Sequence, residues 1–122
     1  MAEAERLGWW AAKINEDGYL RRALNSWVKD PLQDTRFITW AAGDTYILYP
    51  GGRSSTRFER LIEGIQAYEK IRILRNETDK RGRKKNYDKQ IEKILEPFNE
   101  FNLLEVPADK VVNKAKAALN KF

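Results

Sequence analysis

TWAAGDTYILYPGGRSSTRFERLIEGIQAYEKIRILR, residues 39–75, decides how this chain is read. Thr45 to Tyr49 is a short run of β-branched and aromatic residues. It is entered through Gly43-Asp44 and closed by Pro50-Gly51-Gly52, the signature of a strand between turns. From Thr56 the period changes to that of a helix, with Phe58, Leu61, Ile62, Ile65, Tyr68, Ile71 and Leu74 as its expected buried stripe. Thr56 and Glu59 have capping-box spacing, and Ser54 or Ser55 could cap the helix instead. Gly64 interrupts this helix, where glycine costs roughly 1 kcal/mol against alanine. Its expected use is a backbone crossing too close for a Cβ. The unit is therefore a strand, a tight glycine loop and a helix.

Upstream, residues 2–14 read as a helix, with Leu7, Trp10, Ala11 and Ile14 at helical spacing and Trp9 beside them. Gly8 either weakens that helix or admits another backbone. Asn15 to Gly18 reads as a turn and Tyr19 to Leu24 as a second short strand. Asn25 to Ala42 reads as a long loop, richer in polar and aromatic groups than a connector needs. Downstream, a helix is expected over Tyr87–Glu96, with Ile91, Ile94 and Leu95 inward and Pro97 ending it. Phe98, Phe101 and Leu103 are expected in a turn over the core. A last helix follows Pro107, with Ala108, Val111, Val112, Ala115, Leu119 and Phe122 as its seam. The fold class is α+β and mostly helical, about four helices with two short strands, the strands expected to pair in parallel.

The 122 residues suit a single domain. Charged residues make up 34% and hydrophobic ones 42%, which fits a packed chain and not a disordered one. There is no run of about 18 apolar residues, so no spanning segment is expected. The start MAEAERLGWW lacks a signal peptide's basic beginning and apolar core, and the compartment stays open. Without cysteine there is no thiolate chemistry or disulfide framework, and without histidine the commonest neutral base and transition-metal ligand are missing. No metal site and no cofactor are expected. The net charge of +5 is densest at Lys80, Arg81, Arg83, Lys84 and Lys85. That run has no interleaved aromatic, so a solvated loop is favoured over nucleic-acid contact.

Glycosidase chemistry needs two carboxyl groups at a defined separation, or one acting with a substrate amide. Asp17, Asp30, Asp34, Asp44, Glu59, Glu63 and Glu69 are the carboxylates in reach. Asp44 reads as a turn former, and Glu59, Glu63 and Glu69 as helix-surface partners of arginines. No catalytic residue is assigned. Asn25, Trp27, Tyr49 and Arg53 are the candidate substrate-binding residues. Trp27 and Tyr49 close the two apolar runs and could stack on a sugar face. Asn25 could bond a hydroxyl, and Arg53, in its glycine-rich loop, could hold an anionic group. Trp9 and Trp40 are expected in the core. The Gly-Gly-Arg-Ser-Ser run has the look of an anion nest but lacks both nucleotide-binding spacings.

In order along the chain stand GYLR (Gly18–Arg21), NSW (Asn25–Trp27), AGDT (Ala42–Thr45), YPG (Tyr49–Gly51) and SxRFExL (Ser55–Leu61), and the helix continues as EGIQAYEKIRIL. This order resembles the end of the catalytic region of glycoside hydrolase family 123 and the related DUF4091 proteins. The resemblance implies the last βα units of a (β/α)8-type barrel, with a C-terminal fragment present here. It also implies action on β-linked N-acetylgalactosamine by substrate-assisted hydrolysis. The family's Asp-Glu pair belongs to an earlier strand and has no match in this sequence. Arg22 stands where many members have Trp, and Ala67 where many have Asp. The implied chain is inactive alone, with a glycan ligand and an exposed edge that favours self-association or association with the rest of the barrel. The other reading is a small carbohydrate-binding or structural module without catalysis.

Overall fold

The computed structural model describes residues 2–122 except Arg22, Ile38, Gly43, Asp79 and Lys80. The expectations placed on Gly43, Arg22 and Lys80 therefore lie outside the described residues. Five helices form among the rest: α1 (Glu3–Ile14), α2 (Thr56–Asn76), α3 (Asp88–Leu95), α4 (Glu100–Glu105) and α5 (Ala108–Leu119). None is long and apolar enough to cross a membrane.

The α1–α2 pair is the frame. Both helices carry a glycine at the crossing, and the backbones touch there. A Cβ on Gly64 would lie 2.5 Å from the Glu5 carbonyl oxygen, and one on Gly8 would lie 2.0 Å from the Gly64 carbonyl oxygen. The end of α1 is fixed by polar contacts. Asn15 takes the left-handed conformation (φ 59°, ψ 41°), and the Glu16 N–H donates to the Ala11 carbonyl at 2.9 Å. From α2, the Tyr68 hydroxyl donates to the Glu16 carbonyl at 2.9 Å, and Arg75 donates to that of Ala12 at 3.3 Å. Cationic donors on the last carbonyls of a helix complement its dipole.

Trp9 is fully buried and stacks flat on Phe98, with centroids 5.4 Å apart. Around them close Ala67, Ile71 and Leu74 of α2, Ile91 and Leu95 of α3, and Val112, Ala115 and Leu119 of α5. Arg6 is buried as well. Its guanidinium donates to the Asn102 carbonyl at 2.7 Å and ties the end of α4 to α1.

The start of α2 resolves the capping question. Ser55 is the cap: its Oγ accepts from the Phe58 N–H at 3.1 Å and donates to the Ile47 carbonyl at 2.5 Å. One hydroxyl thus joins the helix to the segment before it. Ser55→Ala should cost about 1–2 kcal/mol, the upper part of the range for a lost N-cap. Thr56→Ala, one residue into the helix, should change stability by no more than about 0.5 kcal/mol. Urea melts of the two proteins check this, and equal losses would move the cap.

Ile65 and Phe122, expected in the buried seams of their helices, are exposed, and the buried face of α2 is Gly64, Ala67, Ile71 and Leu74; four further expectations need correction. The expected strands at Tyr19–Leu24 and Thr45–Tyr49 do not form among the described residues. What remains is an isolated antiparallel bridge between Asn25 and Tyr46, opposite in sense to the parallel pairing expected. Two short runs with no third strand leave their peptide groups to other partners. Here Ile47 and Leu48 N–H both donate to the Leu24 carbonyl, and side chains take the Ile47 and Leu48 carbonyls. The inward face of α1 is also turned: Glu5, Arg6, Trp9 and Ala12 are buried, and Ile14 is exposed. The Gly8–Gly64 contact sets that rotation, and apolar spacing alone could not. The third correction is α4, where a turn was expected. Asn99 caps it by accepting from the Asn102 N–H at 2.9 Å, and Phe101 is exposed while Phe98 is buried. The last concerns Trp40, expected in the core but exposed.

Candidate functional site

Residues 15–55 run between α1 and α2 without a helix or strand among those described. Tyr46 anchors this segment. It is fully buried, its hydroxyl donates to the Pro31 carbonyl at 3.3 Å, and the Tyr49 ring meets it edge-on at 5.2 Å. Burial pushes the Tyr46 phenol above the usual tyrosine range.

The four residues proposed as substrate contacts gather along the backbone of residues 46–53. Asn25 bridges Tyr46, and Tyr49 bridges Arg53, the Tyr49 N–H donating to the Arg53 carbonyl at 2.9 Å. Trp27 is half exposed, and its indole N–H donates to the Leu48 carbonyl at 2.6 Å. That donor is thereby engaged within the protein, which leaves the ring face as what Trp27 can offer a ligand. The Arg53 side chain is exposed beyond its turn.

A separate cleft of about 260 Å³ opens in the same segment and is lined by none of these four. Tyr19, Phe37 and Trp40 supply three partly exposed rings, and Arg21, Asp44 and Thr45 the polar wall. Arg21 braces that wall. It donates to the Ala23 carbonyl at 2.9 Å and to the Asp44 carbonyl, with its guanidinium 3.8 Å from the Asp44 carboxylate. Asp44 closes a turn through its N–H to the Ala41 carbonyl, so its turn-forming role is joined by a place in the cleft. Rings with a few fixed polar groups are what a sugar-binding pocket requires. The sequence signal was the surplus of aromatics between residues 19 and 40, which periodicity could not sort into core and cleft.

Two carboxyl groups are held well below their ordinary range. Asp34 is gripped by Arg36 through both oxygens, at 2.6–3.0 Å. That hydrogen bonding holds its carboxyl down at about 2. Glu63 and the buried Glu5 share two cations. Arg60 Nη1 lies 3.2 Å from Glu5 and 2.8 Å from Glu63, and Lys116 Nζ lies 3.1 Å and 2.8 Å from the same two groups. Lys116 first, then the neighbouring Glu5 and Arg60, hold the Glu63 carboxyl at about 2 against the opposing effect of burial. A general acid needs a raised value, so neither Glu63 nor Asp34 is suited to protonate a leaving group near neutrality. Among the described residues no group of carboxylates is placed to hold a metal ion.

The family model of the glycoside hydrolase 123 catalytic domain matches residues 1–74, that is α1, the irregular segment with its aromatic cleft, and α2 as far as Leu74. No curated protein matches the chain. The match takes in more than half of the residues and ends before α3, and the chain belongs to the glycoside hydrolase 123 catalytic-domain family.

Proposed function

We propose that this chain supplies a carbohydrate-contacting wall of a β-N-acetylgalactosaminidase-type hydrolase and has no turnover alone. The observation that carries this reading is the ringed cleft of Tyr19, Phe37 and Trp40 with its Arg21–Asp44 wall, inside the stretch matched by the family. Its rings would stack on the apolar face of a sugar, and its polar wall would read hydroxyl or acetamido groups. The family resemblance supplies the substrate and the substrate-assisted mechanism. The lowered carboxyl values of Glu63 and Asp34 support placing the general acid elsewhere in the barrel. On this reading the chain is one domain and packs against the rest of that barrel as its C-terminal part. Leu20, 95% exposed, and Leu24 and Leu32 nearby offer apolar contacts for the remaining units or a second copy.

Amide and indole NMR during titration with N-acetylgalactosamine tests the wall. Shifts should cluster at Tyr19, Trp40 and Thr45, and Trp40→Ala should weaken binding by roughly tenfold, the loss of about 1.4 kcal/mol. No release of the aryl group from an aryl β-N-acetylgalactosaminide is expected from the chain alone. Absence of sugar-induced shifts would remove the wall. Robust turnover abolished by Glu63→Gln would overturn the placement of the acid.

A further inference from the structure

A second concavity lies outside the family match. Between α3, α4 and α5 runs an open apolar groove of about 670 Å³. Ile94, Val106, Val111, Ala115, Ala118 and Phe122 form its floor. Four lysines stand at its rim: Lys93 on α3, Lys110 and Lys114 on α5, and Lys121 just beyond α5. All four are exposed, and none of their ammonium groups has an ion-pair or hydrogen-bond partner among the described residues, whereas those of Lys85 and Lys116 elsewhere are paired. Glu96 is the one carboxylate in the lining.

We propose that this groove docks an acidic amphipathic helix of a partner protein. Two features of α5 set the occupant. Its apolar line, with Val111 and Ala115 as a buried floor and the half-buried Ala118 above it, continues to Phe122 just beyond the helix and advances by four, three and four residues, the spacing of a helical seam. Beside that line Lys110 and Lys114 on α5, and Lys121 in the turn after it, spread positive charge along the groove. A single-headed amphiphile would satisfy one of these cations, whereas carboxylates repeated along a helix would meet them all. A concave floor is the wrong shape for the plane of a bilayer. Stacking of nucleic-acid bases would need more rings than Phe122, which already packs in a T-shaped pair with Tyr87 at 5.2 Å. Unpaired lysines round an apolar floor are complementary to glutamates flanking a leucine stripe.

Fluorescence anisotropy on the full chain decides the matter. The probe is a labelled four-turn peptide of about 15 residues, with leucines at helical seam spacing and glutamates on both flanks. Saturable binding is expected, weakened by raised ionic strength. The variant Lys110→Glu/Lys114→Glu should weaken it roughly tenfold or more, and Lys110→Gln/Lys114→Gln by less, as loss of steering and pairing requires. Ala118→Trp, which fills the groove, should abolish binding, with unchanged far-UV circular dichroism showing that the fold persists. Equal binding of a scrambled peptide, or of its lysine-for-glutamate counterpart, would overturn the proposal, as would unchanged binding by the charge-reversed variant. So would displacement of the peptide by dodecanoate, capture by phosphatidylglycerol vesicles that Ala118→Trp prevents, or dimerisation lost in that variant.

Discussion

Gly8→Ala is expected to cost the protein about 3 kcal/mol or more, the upper end of what overpacking does to a tight core. The new methyl carbon would lie 2.0 Å from the Gly64 carbonyl oxygen, 2.3 Å from its carbon and 2.9 Å from its Cα. Every one of these is a backbone atom of α2, so no rotamer change relieves the contact and the helices must part. Gly64→Ala meets the Glu5 carbonyl oxygen at 2.5 Å and should cost about 2–3 kcal/mol by the same route. Alanine is the better helix former by about 1 kcal/mol at each site, which works against both losses. Observed destabilisation would therefore be net of that gain. Gly18→Ala is the control: nothing lies within 4 Å of its Cβ, and the change should stay within about 0.5 kcal/mol. Urea melts with matching m-values read all three. Stabilisation by either helix substitution would mean that α1 and α2 do not touch as described.

A close backbone approach at Gly64 was legible in the sequence, because a glycine among long apolar residues in a helix has few other uses; that α1 supplies the other backbone through Gly8 was not. What Gly8 and Gly64 could not tell was which way α1 faces once it is seated. The stripe of Leu7, Trp10, Ala11 and Ile14 is the more apolar one, yet Glu5 and Arg6 are buried and Ile14 is not. Hydrophobic periodicity scores a charged residue as solvent-facing and is blind to one that finds its partners in other helices. Both residues do so at long range in sequence: Glu5 with Arg60 and Lys116, Arg6 with Asn102. Thr45–Tyr49 shows the opposite error. Its β-propensity is real, but a strand needs a sheet, and the local donors and acceptors here are taken by turns, Trp27 and Ser55. In the loop the surplus of aromatics was visible. Sorting it was not: Tyr19, Phe37 and Trp40 form the cleft, while Trp27 and Tyr49 lean on the Tyr46 segment. α4 was missed because six residues with Phe101 and Leu104 exposed carry no amphipathic stripe, although Asn99 stood at its cap.

The double substitution Arg60→Met/Lys116→Met is expected to cost about 3–5 kcal/mol, because it strips a buried carboxylate of both its cations. Glu5 is 1% exposed at the junction of α1, α2 and α5. Its Oε2 accepts from Arg60 at 3.2 Å, and its Oε1 has Lys116 at 3.1 Å but no well-aligned hydrogen bond. Coulomb attraction from two half-exposed cations is therefore what compensates its desolvation. Adding Glu5→Met to the double variant should recover most of the loss, since a buried ion cluster replaced by apolar side chains is often near neutral. Glu63 gives the same network a pH signature. Its folded value of about 2 lies below its ordinary 4.5, so the stability it contributes is complete above about 4.5 and is lost as pH falls through about 2. Lys116 is raised above its ordinary 10.5, chiefly by Glu63, so its contribution is complete below that value and fades as pH rises through the folded one. A plateau of stability between these limits is expected, with an acid edge that flattens in Lys116→Met. Melting temperatures across the acid range measure that edge. If the edge is as steep in Lys116→Met as in the parent, or if Glu5→Met deepens the loss in the double variant, the cluster is not what joins these three helices.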